Sequence, residues 1–378
     1  MRLVRHTQGR PGDNRRFFFR LSTAIKAPEC ARKRIASRIA AFARWYQVGL
    51  LLTIFALSSV SACAGPVVRL DLSDQPEVGA DGNRVALRGA ITVPATPVDG
   101  FPVVELSALG WDEDEAVLYA LSDRGVLFWL RPILSPSGEL EDVQVLRGFA
   151  LHDSDGRVLK GERGDAEGLA LRNADNGRRG DTELLIAFEI QPRIARFNAE
   201  GRQLGKLTLP QPLRRKSAYS RPNDALEAVT VHPRYGVLTT PERPLRADPQ
   251  AVVTLYALSG ETWRVPRLDP AHSGVVALEA LDDGSVLMLE RAFVSYWQPL
   301  RLALKRIWLA PDCAAPATAD CRYETVALWH RIDSFRADNF EGLTRFRDDR
   351  YLMVSDANDL PLLGTVLVQF EWRPRERD

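Results

Sequence analysis

The stretch ALEAVTVHPRYGVLTTPER, residues 225–243, contains the pattern that decides the fold of this chain. An acid, Glu227, is followed by a small residue and then by alternating apolar positions. A turn with Pro and Gly leads into a second apolar run, which ends at Glu242. Alternation with a period of two is typical of β-strands, and two such runs around a short turn predict a β-hairpin.

The same pattern occurs five times in the chain. An acid or Ser, then Gly or Ala, then Leu or Val opens each unit, and an acid closes its second apolar run. The opening motifs are ELSALGW (Ser107), DAEGLAL (Glu167), ALEAVTV (Glu227), ALEALDD (Glu279) and NFEGLTRF (Glu341), with spacings of 60, 60, 52 and 62 residues. The closing acids are Asp123, Glu189, Glu242, Glu290 and Asp356.

Repeats of this length predict an all-β fold, a β-propeller of five or six blades. One blade is a four-stranded sheet, which needs several short strands per repeat, and helical periodicity is nearly absent after Cys63. We expect residues 64–104 to close the ring with the C-terminal run GTVLVQFEW, residues 364–372. A β-sandwich is the alternative, but it would not need the recurrence.

Hairpin geometry predicts that the recurring acids meet at one end of the propeller, which we call the mouth. In an antiparallel pair the first residue of one strand lies beside the last residue of its partner. Carboxylates gathered in this way repel one another unless cations, protons or arginines intervene. Because calcium prefers several oxygen ligands, the sequence predicts a calcium-binding mouth. Its predicted metal ligands are Asp123, Glu167, Glu189, Glu227, Glu279, Glu290, Glu341 and Asp356.

The same residues allow a structural alternative. Arginines directly follow three of the closing acids, at Arg124, Arg243 and Arg291, and Arg193 lies close after Glu189. The mouth could therefore be a ring of acid–arginine pairs that stabilises the fold and holds no metal.

The N-terminal segment has the composition of an export signal. The chain of 378 residues has a formal net charge of +1. Residues 1–62 hold 12 Lys and Arg against two acids, which leaves the remainder at −9. A basic region, the apolar stretch Val48 to Ala62 and small residues follow in that order.

The net negative charge of residues 63–378 argues against nucleic-acid binding, which needs a basic surface.

The apolar stretch ends in Val60-Ser61-Ala62-Cys63, which resembles the lipobox of bacterial lipoproteins. The resemblance implies that Cys63 carries a lipid and becomes the first residue of the mature protein, attached to a membrane on the periplasmic face of the cell envelope. An uncleaved anchor is the alternative. We expect a leader at 1–62, a lipid-tethered linker at 63–83 and a propeller domain at 84–378.

Two other cysteines, Cys313 and Cys321, lie in the Pro- and Ala-rich stretch PDCAAPATADC. In an exported protein this spacing predicts a disulfide that closes a small loop. A metal pair is the rival interpretation, but no CxxC pair or histidine cluster accompanies it.

Four motifs in their order along the chain carry a family resemblance: ALSDRG, DAEGLAL, NFEGLTRF and YLMVSDAND. Together they are similar to the bacterial phytase-like family, also described as the esterase-like activity of phytase domain, over roughly residues 84–372. The resemblance implies an exported β-propeller with phosphoric-ester or carboxylic-ester hydrolase activity. The acid-rich DAADDPA-like motif of calcium-dependent β-propeller phytases is absent from this sequence, which argues against phytate as substrate.

Two function classes follow from these observations. In the first, the protein is a metal-dependent hydrolase of small esters or phosphate esters. Glu167, Glu341 and Asp356 would hold the metal, and Arg124, Arg193 or Arg291 would bind the oxyanion. In the second, it is a non-catalytic binding or scaffold propeller of the cell envelope. The sequence has no GxSxG elbow and no HExxH motif, which argues against an α/β-hydrolase esterase and a zinc protease.

Overall fold

The apolar runs of each repeat form antiparallel strands, as their alternation predicts. We analysed a computed structural model of the chain. The structure describes residues 67–70, 80–293, 300–313, 321–329, 339–356 and 364–374. These residues form five four-stranded sheets, so the predicted β-propeller is confirmed and has five blades.

Each of the first four blades uses four consecutive strands. Blade 1 contains β2 (Leu106–Asp112), β3 (Val117–Ser122), β4 (Val126–Leu134) and β5 (Leu140–Ala150). Blade 2 contains β6 (Ala166–Arg172), β7 (Glu183–Phe188), β8 (Arg193–Phe197) and β9 (Gln203–Leu207). Blade 3 contains β10 (Leu226–His232), β11 (Gly236–Pro241), β12 (Val252–Ala257) and β13 (Thr262–Pro266); blade 4 contains β14 (Ser273–Ala280), β15 (Ser285–Ala292), β16 (Arg301–Trp308) and β17 (Tyr323–Trp329). Short 3₁₀ helices lie at Gly161–Arg163, Gln211–Arg214, Lys216–Ala218, Pro222–Asp224 and Pro311–Cys313.

Blade 5 joins the two ends of the propeller domain. It contains β18 (Phe340–Arg345), β19 (Arg350–Ser355), β20 (Thr365–Arg373) and, as its outer strand, β1 (Arg84–Val93). The expected ring closure by an N-terminal and a C-terminal segment is therefore confirmed. Residues 67–70 lie along the free edge of β1, where the Leu70 N–H donates to the Ala90 carbonyl at 2.9 Å. Part of the segment predicted as a linker thus covers an edge that would otherwise be open to pairing.

The innermost strands β2, β6, β10, β14 and β18 pack side by side around the propeller axis. Each has a β-bulge, at the fourth residue of β14 and at the second residue of the others, and a small residue follows the bulge. The bulged residues are Ser107, Glu167, Glu227, Val276 and Glu341. The small residue is required by close packing: a Cβ at Gly168 would lie 2.6 Å from the Glu227 carbonyl oxygen in the next blade. The repeated motif is therefore the sequence of this bulge.

The fourth repeat has a different register from the one that the sequence suggests. In β14 the bulged residue is Val276, three positions before Glu279. Because successive strand residues point to opposite faces, a shift of three also changes the face on which a side chain lies. Glu279 is thus not the counterpart of Glu167, Glu227 and Glu341.

Apolar side chains fill the space between neighbouring blades. A separate buried cluster lies at each of the five blade contacts. Trp263, fully buried between blades 3 and 4, donates its Nε1–H to the Ala310 carbonyl at 3.2 Å. A disulfide joins Cys313 to Cys321 beside the same cluster. Within the described ranges, no helix combines the length and hydropathy of a membrane span.

Candidate metal centre

One backbone hydrogen bond fixes the end of each hairpin that carries acids. In four blades the N–H of the residue after the second strand donates to the carbonyl of the residue before the first strand. The pairs, with their N···O distances, are Asp123–Glu105 (3.2 Å), Glu189–Asp165 (3.1 Å), Glu242–Ala225 (2.7 Å) and Asp356–Asn339 (2.9 Å). Four of the predicted closing acids therefore occupy equivalent positions at one end of the axis.

In blade 4 the equivalent position is occupied by Arg291, which pairs with Gly274 across the hairpin. Its guanidinium lies 2.7 Å from a Glu341 oxygen and 3.3 Å from a Glu242 oxygen. The ring of closing residues is thus four acids and one internal cation. Gly274 makes room for this arrangement, because a Cβ there would lie 2.4 Å from Glu242 Oε1.

Glu290, one residue before Arg291, lies in the interior of blade 4 and not in the mouth. It is fully buried, and its carboxylate lies 2.7 Å from Lys305 Nζ. The Leu268 N–H donates to the same carboxylate at 2.8 Å, and the Ser273 hydroxyl also donates to it. Glu290 therefore belongs to a structural ion pair whose hydrogen bonds are satisfied, and not to the metal ligands among which the sequence analysis placed it.

Glu279 lies at the other end of the axis, which also differs from the expectation. Its carboxylate accepts the Arg345 N–H at 3.0 Å. It lines a cavity of about 1060 Å³ together with Trp111, Arg172 and Asp282. A much smaller cavity, of about 10 Å³, is lined by Glu167, Glu227 and Glu341.

The structure brings eight carboxylates together in the mouth, which we call the acidic cluster. Its members are Asp123, Asp165, Glu167, Glu189, Glu227, Glu242, Glu341 and Asp356. Six of them were among the predicted ligands. Glu242 was placed on this face from its repeat position, whereas Asp165 was missed. Asp165 precedes the first strand of its blade, where the repeats share no residue type.

Two overlapping groups within the acidic cluster have the geometry of a cation site. Asp165, Glu167 and Glu189 each offer an oxygen, and these three atoms lie within 4.8 Å of one another. The same holds for Glu189, Glu227 and Glu242. Glu189 belongs to both groups. It is 4% exposed, and its Oε1 has no hydrogen-bond partner among the described residues.

Burial and mutual repulsion favour protonation of these carboxyls when no cation is bound. Burial, followed by repulsion from Asp165 and Glu242, raises the pKa of Glu189 to about 8. Burial and Glu105 likewise raise the pKa of Asp123 to about 8. A hard cation would replace these protons, because it supplies the positive charge that the buried carboxylates lack.

Burial also raises the pKa values of the acids nearest the axis, and for one of them a neighbouring arginine opposes the rise. Burial, reinforced by neighbouring carboxylates, raises the pKa of Glu167 and of Glu227 well above the usual range. For Glu341 burial raises the pKa to about 7, while the adjacent Arg291 acts in the opposite direction.

Not every arginine of the mouth pairs with the acid that lies beside it in the sequence. Arg124 pairs with Glu105, not with the adjacent Asp123. Arg193 stacks on the Phe188 ring, with its guanidinium carbon 3.6 Å from the ring centroid, and donates to the Gln191 carbonyl. It therefore does not form the expected pair with Glu189. Glu242, by contrast, lies 3.3 Å from Arg291 and 3.8 Å from Arg243 Nε, so the group Glu189, Glu227 and Glu242 is in contact with two of the suggested arginines.

Comparison with known proteins identifies a family but no curated relative. No curated protein matches the chain. The solved structure of U3-55K covers 77% of this chain and 99% of its own, at 10% identity and a TM-score of 0.36. The family model described as "Phytase-like: Esterase-like activity of phytase" matches residues 102–359. That range includes the acidic cluster, blades 1 to 4 and two of the four strands of blade 5, and the chain belongs to the phytase-like family.

Proposed function

We propose that the protein is a metal-dependent hydrolase of phosphoric or carboxylic esters, with calcium as the cation and the acidic cluster as its site. The observation that carries the proposal is Glu189. A buried carboxylate with an unpartnered oxygen, shared between two groups of three acids, is costly unless a ligand satisfies it. Membership of the phytase-like family supports hydrolase chemistry.

The residues present fit a hard cation. All five side chains of the two groups, Asp165, Glu167, Glu189, Glu227 and Glu242, offer carboxylate oxygens, the ligand type that calcium prefers. They offer no sulfur or imidazole donor, which argues against a soft metal. When bound, such a cation supplies Lewis acidity toward an ester oxygen and lowers the pKa of water.

Two residues outside both groups have chemistry suited to the reaction. Asp123, whose pKa is raised to about 8, holds a proton at neutral pH and is placed to protonate a leaving oxygen. The Arg124 side chain is 49% exposed at the edge of the mouth, and its guanidinium donates to Glu105 through two nitrogens. We assign it the role of binding an anionic oxygen of the substrate. Glu341 and Asp356 would keep the remaining side of the cluster acidic.

The test is turnover of p-nitrophenyl phosphate and p-nitrophenyl acetate before and after EDTA treatment. We expect EDTA to abolish hydrolysis and calcium to restore it. Glu189→Gln should lower kcat at least 100-fold, because removing one ligand of a metal site has effects of this order. Glu139→Gln, at an exposed turn, is the matched control. Absence of turnover on both substrates with calcium or zinc present would refute the proposal.

A second candidate is a propeller that binds a cation without turnover. The double pairing of Arg291 with Glu341 and Glu242 favours it, because that half of the mouth is neutralised by the protein itself. Calcium-dependent stabilisation without any ester hydrolysis would distinguish this candidate from the first.

We propose further that the mature protein is attached to a membrane of the cell envelope through a lipid on Cys63. The support is the lipobox-like sequence, which lies outside the described residues. Metabolic labelling with radioactive palmitate should label the wild-type protein and not Cys63→Ser. Equal labelling of both, or cleavage at another site, would refute the proposal.

A further inference from the structure

A basic cavity lies beside the acidic cluster, between blades 2 and 3. Its volume is about 380 Å³. The connection from β9 to β10 forms much of its wall, in the short 3₁₀ helices Lys216–Ala218 and Pro222–Asp224. We propose that this cavity binds an anionic group of the substrate, a phosphate or carboxylate remote from the ester that is cleaved. The inference rests on the proposed hydrolase function and names the substrate class.

The charge of the cavity is the first argument. Lys216, Arg221 and Arg246 line it, with Glu162 as the acid of the lining. The connection from β9 to β10, residues 208–225, contains four Arg or Lys residues and one acid, Asp224, although residues 63–378 carry a net charge of −9. Cations concentrated at one concave place on an acidic protein attract anionic ligands to that place.

The second argument is that part of the cavity is preorganised. Arg246 Nε donates to the Tyr219 carbonyl at 2.7 Å, and its Nη2 donates to the Ser220 carbonyl at 2.9 Å. The guanidinium is therefore held in place before a ligand arrives. Its planar shape still offers further N–H donors to an oxyanion. The Ser217 hydroxyl, also in the lining, adds a neutral donor.

The third argument is the shared backbone of the cavity and the acidic cluster. Ile190 lines the cavity and directly follows Glu189, so their Cα atoms are about 3.8 Å apart. Ala225 also lines the cavity, and its carbonyl accepts the Glu242 N–H at 2.7 Å. An ester positioned at the group Glu189, Glu227 and Glu242 would thus extend an attached anionic group toward Lys216 and Arg221.

The first experiment is calorimetric titration of the propeller domain with inorganic phosphate and, separately, with acetate, in EDTA. Removing cations excludes phosphate bound through a metal, so this readout does not depend on turnover. We expect saturable binding of phosphate, weaker binding of acetate, and a loss of phosphate affinity of about tenfold in Lys216→Gln/Arg221→Gln. Lys206→Gln/Arg131→Gln changes two exposed cations on β9 and β4 and should bind as the wild type does.

The second experiment compares mono-p-nitrophenyl succinate, which has a remote carboxylate, with neutral p-nitrophenyl butyrate. The Lys216→Gln/Arg221→Gln variant should lower the ratio of their kcat/KM values, anionic over neutral, about tenfold. No phosphate binding by the wild type, or equal binding by the variant, would overturn the inference. Phosphate binding that follows the expected pattern without turnover of either ester would instead refute the proposed hydrolase and leave a ligand-binding cavity.

Discussion

Arg291 Nη1 lies 2.7 Å from Glu341 Oε1, and this pair places a cation where four of the five blades have an acid. Burial acts to lower the pKa of Arg291, but Glu341 and Glu242 outweigh it and raise the pKa. The guanidinium is therefore charged at any accessible pH. It acts as a fixed counter-ion for Glu341 and Glu242, whereas the group Asp165, Glu167 and Glu189 lies outside this pairing.

Replacing this counter-ion should destabilise the protein. Arg291→Gln removes the guanidinium that pairs with the buried carboxylates of Glu341 and Glu242, and breaking a buried pair in this way costs about 3–5 kcal/mol. Urea unfolding in EDTA measures the change in free energy. The double variant Arg291→Gln/Glu341→Gln should recover part of the loss because it also removes one uncompensated charge. Equal stability of the single variant and the wild type would contradict the pairing.

Removing the charge of Glu189 should stabilise the cation-free protein, which is the opposite of the effect expected for Arg291→Gln. Glu189 has its pKa raised to about 8, so its ionisation opposes folding at alkaline pH. Glu189→Gln should therefore be more stable than the wild type at about pH 8.5 in EDTA, by about 1 kcal/mol or more, and should lose the calcium response. The measurement is urea unfolding with and without calcium. A variant that is less stable in EDTA and still responds to calcium would contradict the assigned role.

The repeat pattern allowed the fold and most of the acidic cluster to be predicted from the sequence. The bulge places Glu167, Glu227 and Glu341 near the axis in every blade that carries the motif. Blade 4 was different because its bulged residue is neither an acid nor Ser, so the pattern selects a neighbouring stretch instead. The true bulge has Val276, and ALEALDD places Glu279 three residues later. Alternation alone does not distinguish them, since the register is set by pairing with β15.

Positions without a shared residue type could not be predicted. The residues two positions before the bulged residues are Glu105, Asp165, Ala225, Gly274 and Asn339. Asp165 becomes a candidate ligand because the chain brings it within 4.8 Å of Glu167 and Glu189. Arg124 was expected beside Asp123 from its place in the chain, but in three dimensions it contacts Glu105. Neighbours in sequence do not fix the direction of a long side chain.

The stability of the cation-free protein should fall as the pH rises. The pKa values of Asp123 and Glu189 are raised to about 8, whereas carboxyls in an unfolded chain titrate near about 4. The unfolded chain loses these protons first, so the stabilisation present at low pH is lost between about pH 4 and about pH 8. Thermal unfolding in EDTA across this range measures the trend. A melting temperature that rises throughout the range would contradict it.

Calcium should stabilise the protein more at alkaline than at acidic pH. At about pH 8.5 the carboxyls are ionised and accept the cation, whereas at about pH 5.5 protons compete with it. Calcium at 100 times its dissociation constant stabilises by about 2.7 kcal/mol, which corresponds to a rise in Tm of roughly 4 °C for a domain of this size. Magnesium at the same concentration is the comparison, since it loses its hydration water reluctantly. An equal shift at both pH values would argue against proton displacement.

Gly274→Ala should weaken cation binding while the fold is retained. The added Cβ would lie 2.4 Å from Glu242 Oε1, and the atoms it meets belong to the flexible carboxylate end of that side chain. Glu242 can move aside without a change in the backbone. The group that it forms with Glu189 and Glu227 would then open, and we expect calcium affinity to fall about tenfold. Calorimetric titration with calcium gives the affinity.

The matched control for this variant is Gly205→Ala in β9, where a Cβ meets little besides Arg196 Nη1 at 4.0 Å. It should bind calcium as the wild type does. If Gly274→Ala binds calcium normally and unfolds at the wild-type temperature, Glu242 is not part of the cation site.

The buried pair of Glu290 and Lys305 should be important for folding and irrelevant to cation binding. Lys305 Nζ lies 2.7 Å from Glu290 Oε2, and the two side chains are 5% and 0% exposed. Lys305→Met leaves an uncompensated buried carboxylate and should cost about 3–5 kcal/mol of stability, measured by urea unfolding. Its calcium affinity at a temperature where it is folded should equal that of the wild type, because Glu290 lies outside both carboxylate groups. Lys206→Met, on the exposed edge strand β9, should change stability by less than about 0.5 kcal/mol. A loss of calcium affinity in Lys305→Met alone would place Glu290 back among the metal ligands.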